Sequence, residues 1–70
     1  MNKLIAKRRA MSGLYIYEIQ TPMTIKTYQV YCNEHGRWVW KHINDRPADT
    51  TYATHFAAEF AMYQELEITT

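Results

Sequence analysis

Four side chains in this sequence could bind a soft metal or act as nucleophile and base: Cys32, His35, His42 and His55. Cys32 and His35 have a spacing found in zinc sites, where thiolate and imidazole converge tetrahedrally on the ion. The surrounding pattern works against convergence. Asn33, Glu34, His35 and Gly36 read as a three-residue hairpin loop, a type I turn closed by a left-handed glycine. Pairing Asn33 with Arg37 then sets Cys32 opposite Trp38 in the core and leaves His35 at the turn tip, pointing away. His42 falls at a strand end and His55 on the flank of a helical segment. No metal site is expected.

Nucleophilic catalysis fares no better. A thiol in an apolar core with no cation beside it keeps a high pKa and stays inert, and Ser12 next to Gly13 has no base in sight. Glu59, Glu65 and Glu67 are expected on or near the solvent face of the helix, as a solvated surface and not as paired catalytic carboxylates. There is no glycine-rich phosphate loop, and 70 residues leave little concave volume for a small molecule. The expectation is a non-enzymatic protein with no cofactor and no small-molecule substrate.

The elements that would position these residues follow from periodicity. Gly13, Pro22, Gly36 and Pro47 divide the chain. Leu14 to Gln20, Ile25 to Cys32 and Trp38 to Ile43 are rich in β-branched and aromatic residues and read as strands. The hairpin register pairs Cys32 with Trp38, Val30 with Trp40 and Tyr28 with His42, so these share one face. A two- or four-residue loop centred on Pro22 and Met23 puts Tyr15, Tyr17 and Ile19 on that face too, whereas a one-residue change in the loop would reverse the first strand. After Pro47 the period changes to 3.6. Tyr52, Phe56, Phe60 and Tyr63 form an aromatic stripe, extended by Ala53 and Ala57, that should cover the two tryptophans. Asp49, Thr50 or Thr51 is expected to cap that helix. The predicted fold is α+β. It has a three-stranded antiparallel β-meander with a C-terminal α-helix packed on one face, a single β-β-β-α domain over 13–70. Residues 1–12 precede it as a basic N-terminal arm or short helix.

Composition bounds the rest. Eight Lys and Arg against seven Asp and Glu give +1, too balanced for a protein living on phosphate contacts alone. One cysteine excludes an intramolecular disulfide. No apolar run approaches the roughly 18 residues that span a bilayer, and Met1 to Ala10 lacks the apolar centre of a secretory signal. A cytoplasmic protein without membrane contact is expected. The charge is unevenly spread: residues 1–46 carry eight positive and three negative groups, whereas 47–70 carry four acids and no Lys or Arg.

Two features remain as candidate binding surfaces. Lys3, Lys7, Arg8 and Arg9 concentrate charge in the arm. The outer sheet face carries Gln29, Tyr31, Arg37, Val39 and Lys41, together with Leu14, Ile16, Ile25 and Ile43. A mixed patch of this kind meets something: the chain's own Leu4 and Ile5 folded over it, a second copy in a homodimer, or a different macromolecule.

Arg8 and Arg9 in the arm, Leu14 to Ile16 in the first strand and Val30 to Cys32 in the second resemble, in outline, the arm-type DNA-binding domain of phage integrases. The likeness to plant AP2 domains is more distant. The resemblance implies a sheet laid in the major groove with the helix behind it. Only Arg37 and Lys41 are basic on the outer face of the second hairpin, and the small-residue pattern after the third strand is missing. The order of helix, three strands and helix in double-stranded-RNA-binding domains also fits loosely, but the last helix here opens on Asp49, Thr50 and Thr51 and not on lysines. Near-neutral charge and an aliphatic outer face favour a protein-interaction module. Small accessory proteins of phages and mobile elements, which inhibit or adapt a host protein by occupying its surface, have this character. The alternative is a DNA-binding module using the arm and the same face.

Overall fold

The structure, a computed structural model, describes residues 2–68. It has four strands, β1 (Lys3–Met11), β2 (Leu14–Gln20), β3 (Ile25–Cys32) and β4 (Trp38–His42), followed by one helix, α1 (His55–Glu65). The strands form one antiparallel sheet in the order β1-β2-β3-β4, a meander in which each strand pairs with its neighbour in sequence. The α+β class and the C-terminal helix are as the sequence implies; the fourth strand is not.

The β3–β4 hairpin follows its turn chemistry. The Asn33 amide donates to the Arg37 carbonyl at 2.7 Å and the Gly36 amide to the Asn33 carbonyl at 3.1 Å. Asn33 Oδ1 accepts from the His35 and Arg37 amides at 2.9 and 3.0 Å. Gly36 takes φ +77°, a conformation in which any Cβ is strained. The resulting register pairs Cys32 with Trp38, Val30 with Trp40 and Tyr28 with His42. The Thr21–Thr24 loop holds β2 in phase through the Thr21 hydroxyl, which accepts from the Thr24 amide at 3.0 Å. Tyr17 and Ile19 are therefore fully buried beneath the helix together with Val30.

The N-terminal segment is a strand and not a free arm or short helix. Its Lys, Arg and Ala favour helix, but Ser12 and Gly13 (φ +79°) turn the chain tightly back, and the exposed edge of β2 supplies backbone partners. Ladder hydrogen bonds then decide the conformation over propensity. Register shifts beside Leu4 and Arg9 leave Ile5 and Ala10 as extra residues, the bulges that commonly twist an edge strand. Leu4 packs against the core while Ile5 stays exposed, so neither folds over the outer face.

The helix begins later than its periodicity implies and turns a different face inward. Tyr52 is held to Trp38 by two backbone hydrogen bonds of 2.8 Å, a bridge that keeps the chain extended through this point. Thr54, not Asp49, Thr50 or Thr51, is the N-cap, its hydroxyl accepting from the Ala57 amide at 3.1 Å. Ala58, Glu59 and Met62 are the buried helix residues. Phe56 and Phe60 are 67% and 61% exposed. Tyr28, Trp38 and Trp40 already fill the floor over β3 and β4, so a small and a flexible side chain, Ala58 and Met62, let the helix approach.

Past the helix, the Glu67 amide donates to the Gln64 carbonyl at 3.2 Å and the Ile68 amide to the Tyr63 carbonyl at 2.8 Å. This is a Schellman cap with Glu67 (φ +54°) where glycine is usual. Ile68 is thereby buried and bridges to Asn2, whose side-chain amide donates to the Leu66 carbonyl at 2.8 Å. The left-handed backbone is unfavourable for glutamate. Glu67→Gly should therefore raise stability by about 0.5–1 kcal/mol, read as a higher thermal midpoint; an unchanged or lower midpoint would contradict the cap.

Candidate functional site

The sheet has two faces with different fates. One is covered by α1. The other faces away from α1, and the register composes it in rows. Arg8 lies opposite Ile16, Ile16 opposite Gln29 and Gln29 opposite Lys41. The adjacent row runs Met11, Leu14, Tyr31, Val39. Residues directly opposite one another share a face, so the open face carries an apolar row beside a row with a cation at each end. Glu18 and Thr27 stand behind these, opposite Ala6, and Lys3 lies at the corner.

Of the residues singled out from the sequence, Lys3, Arg8, Gln29, Tyr31, Val39 and Lys41 come together on this face. Val39 is only 3% exposed and underlies its neighbours. Lys41 bends toward the following loop, donating to the Asp45 carbonyl at 2.9 Å. Arg37 turns around the sheet edge, its Nε donating to the Thr51 hydroxyl at 3.2 Å. Lys7 and Arg9 lie opposite Tyr17 and Tyr15 and so belong to the helix side. The four arm cations are thus split between the two faces by strand alternation.

The helix side holds a cluster that sequence reasoning misplaces. Glu59, expected in solvent, is 8% exposed. Its Oε1 accepts from Lys7 Nζ at 2.6 Å and from the Tyr17 and Tyr63 hydroxyls at 2.9 Å each. Lys7 Nζ also lies 5.8 and 5.7 Å from the centroids of the Tyr15 and Tyr17 rings, close enough for cation–π attraction. One carboxylate oxygen therefore ties β1 and β2 to α1. Burial alone would raise the Glu59 pKa, but the hydrogen bonds from Lys7, Tyr63 and Tyr17 outweigh it and hold the carboxyl below the usual glutamate range. Burial, reinforced by the neighbouring carboxylate, raises both the Tyr17 and Tyr63 phenols well above theirs. The only sequence signal for this cluster was a glutamate one turn before Tyr63, which is too common to single out.

The remaining chemistry-bearing residues are dispersed. His55 stacks on Tyr15 with ring centroids 4.6 Å apart, His42 meets Tyr28 edge-on, and His35 is exposed at its turn. Among the described residues, no group of three His, Cys, Asp or Glu side chains could hold a metal ion. The described residues form shallow depressions. One, about 280 Å³, lies at the Trp40 and Arg46 end of the molecule. Another, about 370 Å³, is lined by Phe56, Glu59, Phe60 and Tyr63. Among the described residues no helix is long and apolar enough to cross a membrane. No protein-family model, curated protein or solved structure matches this chain.

The cluster sets a pH dependence. Glu59 titrates lower folded than unfolded, so its contribution is complete above about pH 4.3, the unfolded value, and is lost as pH falls through its lowered folded value. Tyr17 and Tyr63 titrate higher folded than unfolded, so their contribution is complete below about pH 10 and is lost as pH rises through their raised folded values. Glu59→Gln should flatten the acid limb and cost about 1–3 kcal/mol at neutral pH, a range kept low because the Lys7 side chain, 36% exposed, can turn to water. Urea titrations at several pH values read both; an unaltered acid limb would contradict the assignment.

Proposed function

We propose that this protein is a non-enzymatic protein-interaction module. Its open sheet face docks on an acidic, partly apolar surface of another protein. The reading is that of a small accessory protein that inhibits or adapts a host protein, of the kind phages and mobile elements carry. The observation that carries it is the pair of rows across all four strands, Met11–Leu14–Tyr31–Val39 beside Arg8–Ile16–Gln29–Lys41. Met11, Leu14 and Tyr31, the accessible part of the apolar row above buried Val39, supply the centre that protein interfaces desolvate, and the flanking cations supply steering and register.

Sheet width favours a protein over duplex DNA as the partner. Three strand spacings make the face about 14 Å across, wider than the roughly 12 Å major groove. The segment that could have followed the phosphate backbone as an arm is β1, and Lys7 within it is already paired with Glu59.

The test compares the wild-type chain with Arg8→Glu/Tyr31→Ala as bait in affinity capture, followed by binding measurements on the purified partner. Loss of Tyr31 should weaken that complex by about 1–3 kcal/mol if it is an anchor. Titration with a generic duplex at low salt should show no complex. Duplex binding with a log–log salt slope near −0.9 for each phosphate contacted would overturn the proposal in favour of DNA, as would a protein partner indifferent to both substitutions.

A further inference from the structure

The depression at the Trp40 and Arg46 end is built from side chains that the Glu59 cluster leaves unused. Aromatic rings form its floor. Tyr28 meets Trp40 at 6.3 Å between centroids and 50° between planes, and meets His42 at 5.2 Å and 84°. Rings set at such angles make a concave corner and not a flat stack. Leu66, at the end of α1, and Ala48, in the connection from β4 to α1, complete the apolar wall. The volume, about 280 Å³, is near the lower limit of small-molecule sites and suits one ring with a short substituent.

The polar groups around this corner are mostly donors. Tyr28 is 8% exposed. Its hydroxyl has no hydrogen-bond partner among the described residues, yet it is not sealed from outside, so it opens on the depression that Tyr28 lines. Burial, with the Asp45 charge adding to it, raises the phenol above its usual range; the hydroxyl keeps its proton and can donate it. His42 Nδ1 accepts from the Asn44 amide at 3.2 Å, which leaves the ring proton on Nε2. The Arg46 guanidinium lines the same wall and makes no ion pair with a described residue. Lys41 Nζ, by contrast, is engaged by the Ile43 and Asp45 carbonyls. Asp45 is the one carboxylate in the lining, against the two cations Lys41 and Arg46.

We propose that this depression binds a monocyclic aromatic carboxylate, with its ring against Trp40 and its carboxylate on the Arg46 guanidinium and the Tyr28 hydroxyl. The planar fork of arginine matches a carboxylate through two parallel N–H···O bonds, and a ring fills the corner between the aromatic walls. The excess of donors and the net positive lining select against an organic cation. The apolar floor selects against a bare inorganic anion, which has no apolar surface to bury there. Asp45 repels the ligand and limits its affinity. The site lies on the helix side, where β4 ends, and shares only Lys41 with the open face; it does not depend on the partner assigned to that face.

Trp40 supplies the reporter, because Trp38 stands at the opposite end of α1, against Tyr15 and His55. Titrating the full chain with benzoate should change tryptophan fluorescence saturably, and amide chemical shifts should move around Trp40, Arg46 and Ala48. Arg46→Gln, at an exposed position, should weaken benzoate about tenfold, and Tyr28→Phe about threefold. Asp45→Asn should strengthen it about twofold. Benzylamine and inorganic phosphate should give no saturable change. The proposal is overturned by the absence of a saturable response at any millimolar benzoate concentration, by affinity indifferent to Arg46→Gln, or by benzylamine or phosphate binding as well as benzoate. Arg46→Gln carries the test if Tyr28→Phe perturbs folding.

Discussion

Much of what distinguishes this molecule from a plain three-stranded meander follows from one buried carboxylate oxygen. Glu59 Oε1 takes three hydrogen bonds, from Lys7 of β1, Tyr17 of β2 and Tyr63 of its own helix. A buried ion is costly unless its partners are in place, so the cluster has no low-energy alternative with one member missing. That requirement fixes the rotation of α1, and rotation decides which residues meet the sheet. With Glu59 inward, Ala58 and Met62 go inward beside it, and Phe56 and Phe60 are carried outward. The apolar helix face and the buried acid are one constraint seen from two sides.

The same oxygen helps to explain the fourth strand. β1 is an edge strand of lysines, arginines and alanines with two bulges, and little in its own sequence favours extension. Its backbone pairs with β2 after the Ser12–Gly13 turn, and two tethers fasten it at separate points. Lys7 reaches Glu59, and Asn2 reaches the chain emerging from the helix. Strand alternation then divides the basic residues, sending Lys7 and Arg9 toward the helix and Arg8 to the open face. A cluster that looks like one cationic arm in the sequence becomes two different surfaces.

Where local chemistry decides, the sequence was readable. The Asn33–Gly36 loop dictated the β3–β4 register to the residue, and with it the core placement of Val30 and Trp40. Tyr17 and Ile19 followed from the length of the loop at Pro22. Most of the open face was legible for the same reason, because strand alternation alone assigns Gln29, Tyr31, Val39 and Lys41 to it. What could not be read depended on partners distant in the chain. β1 needed the edge of β2, the helix start needed the Trp38–Tyr52 bridge, and the helix rotation needed Glu59 to find Lys7, 52 positions away in the chain. An aromatic stripe at helical spacing ordinarily marks a core face. Here the floor was already full of aromatic rings, and an ion pair outcompeted the stripe.

The most direct test is amide hydrogen exchange on wild type and Glu59→Gln, followed residue by residue. If Glu59 fastens the edge strand to the helix, the substitution should strip protection from β1 and from the β1-facing amides of β2 while the β3–β4 hairpin keeps its own. A uniform loss across all four strands, or unaltered protection in β1, would contradict the claim that this one carboxylate organises the fold.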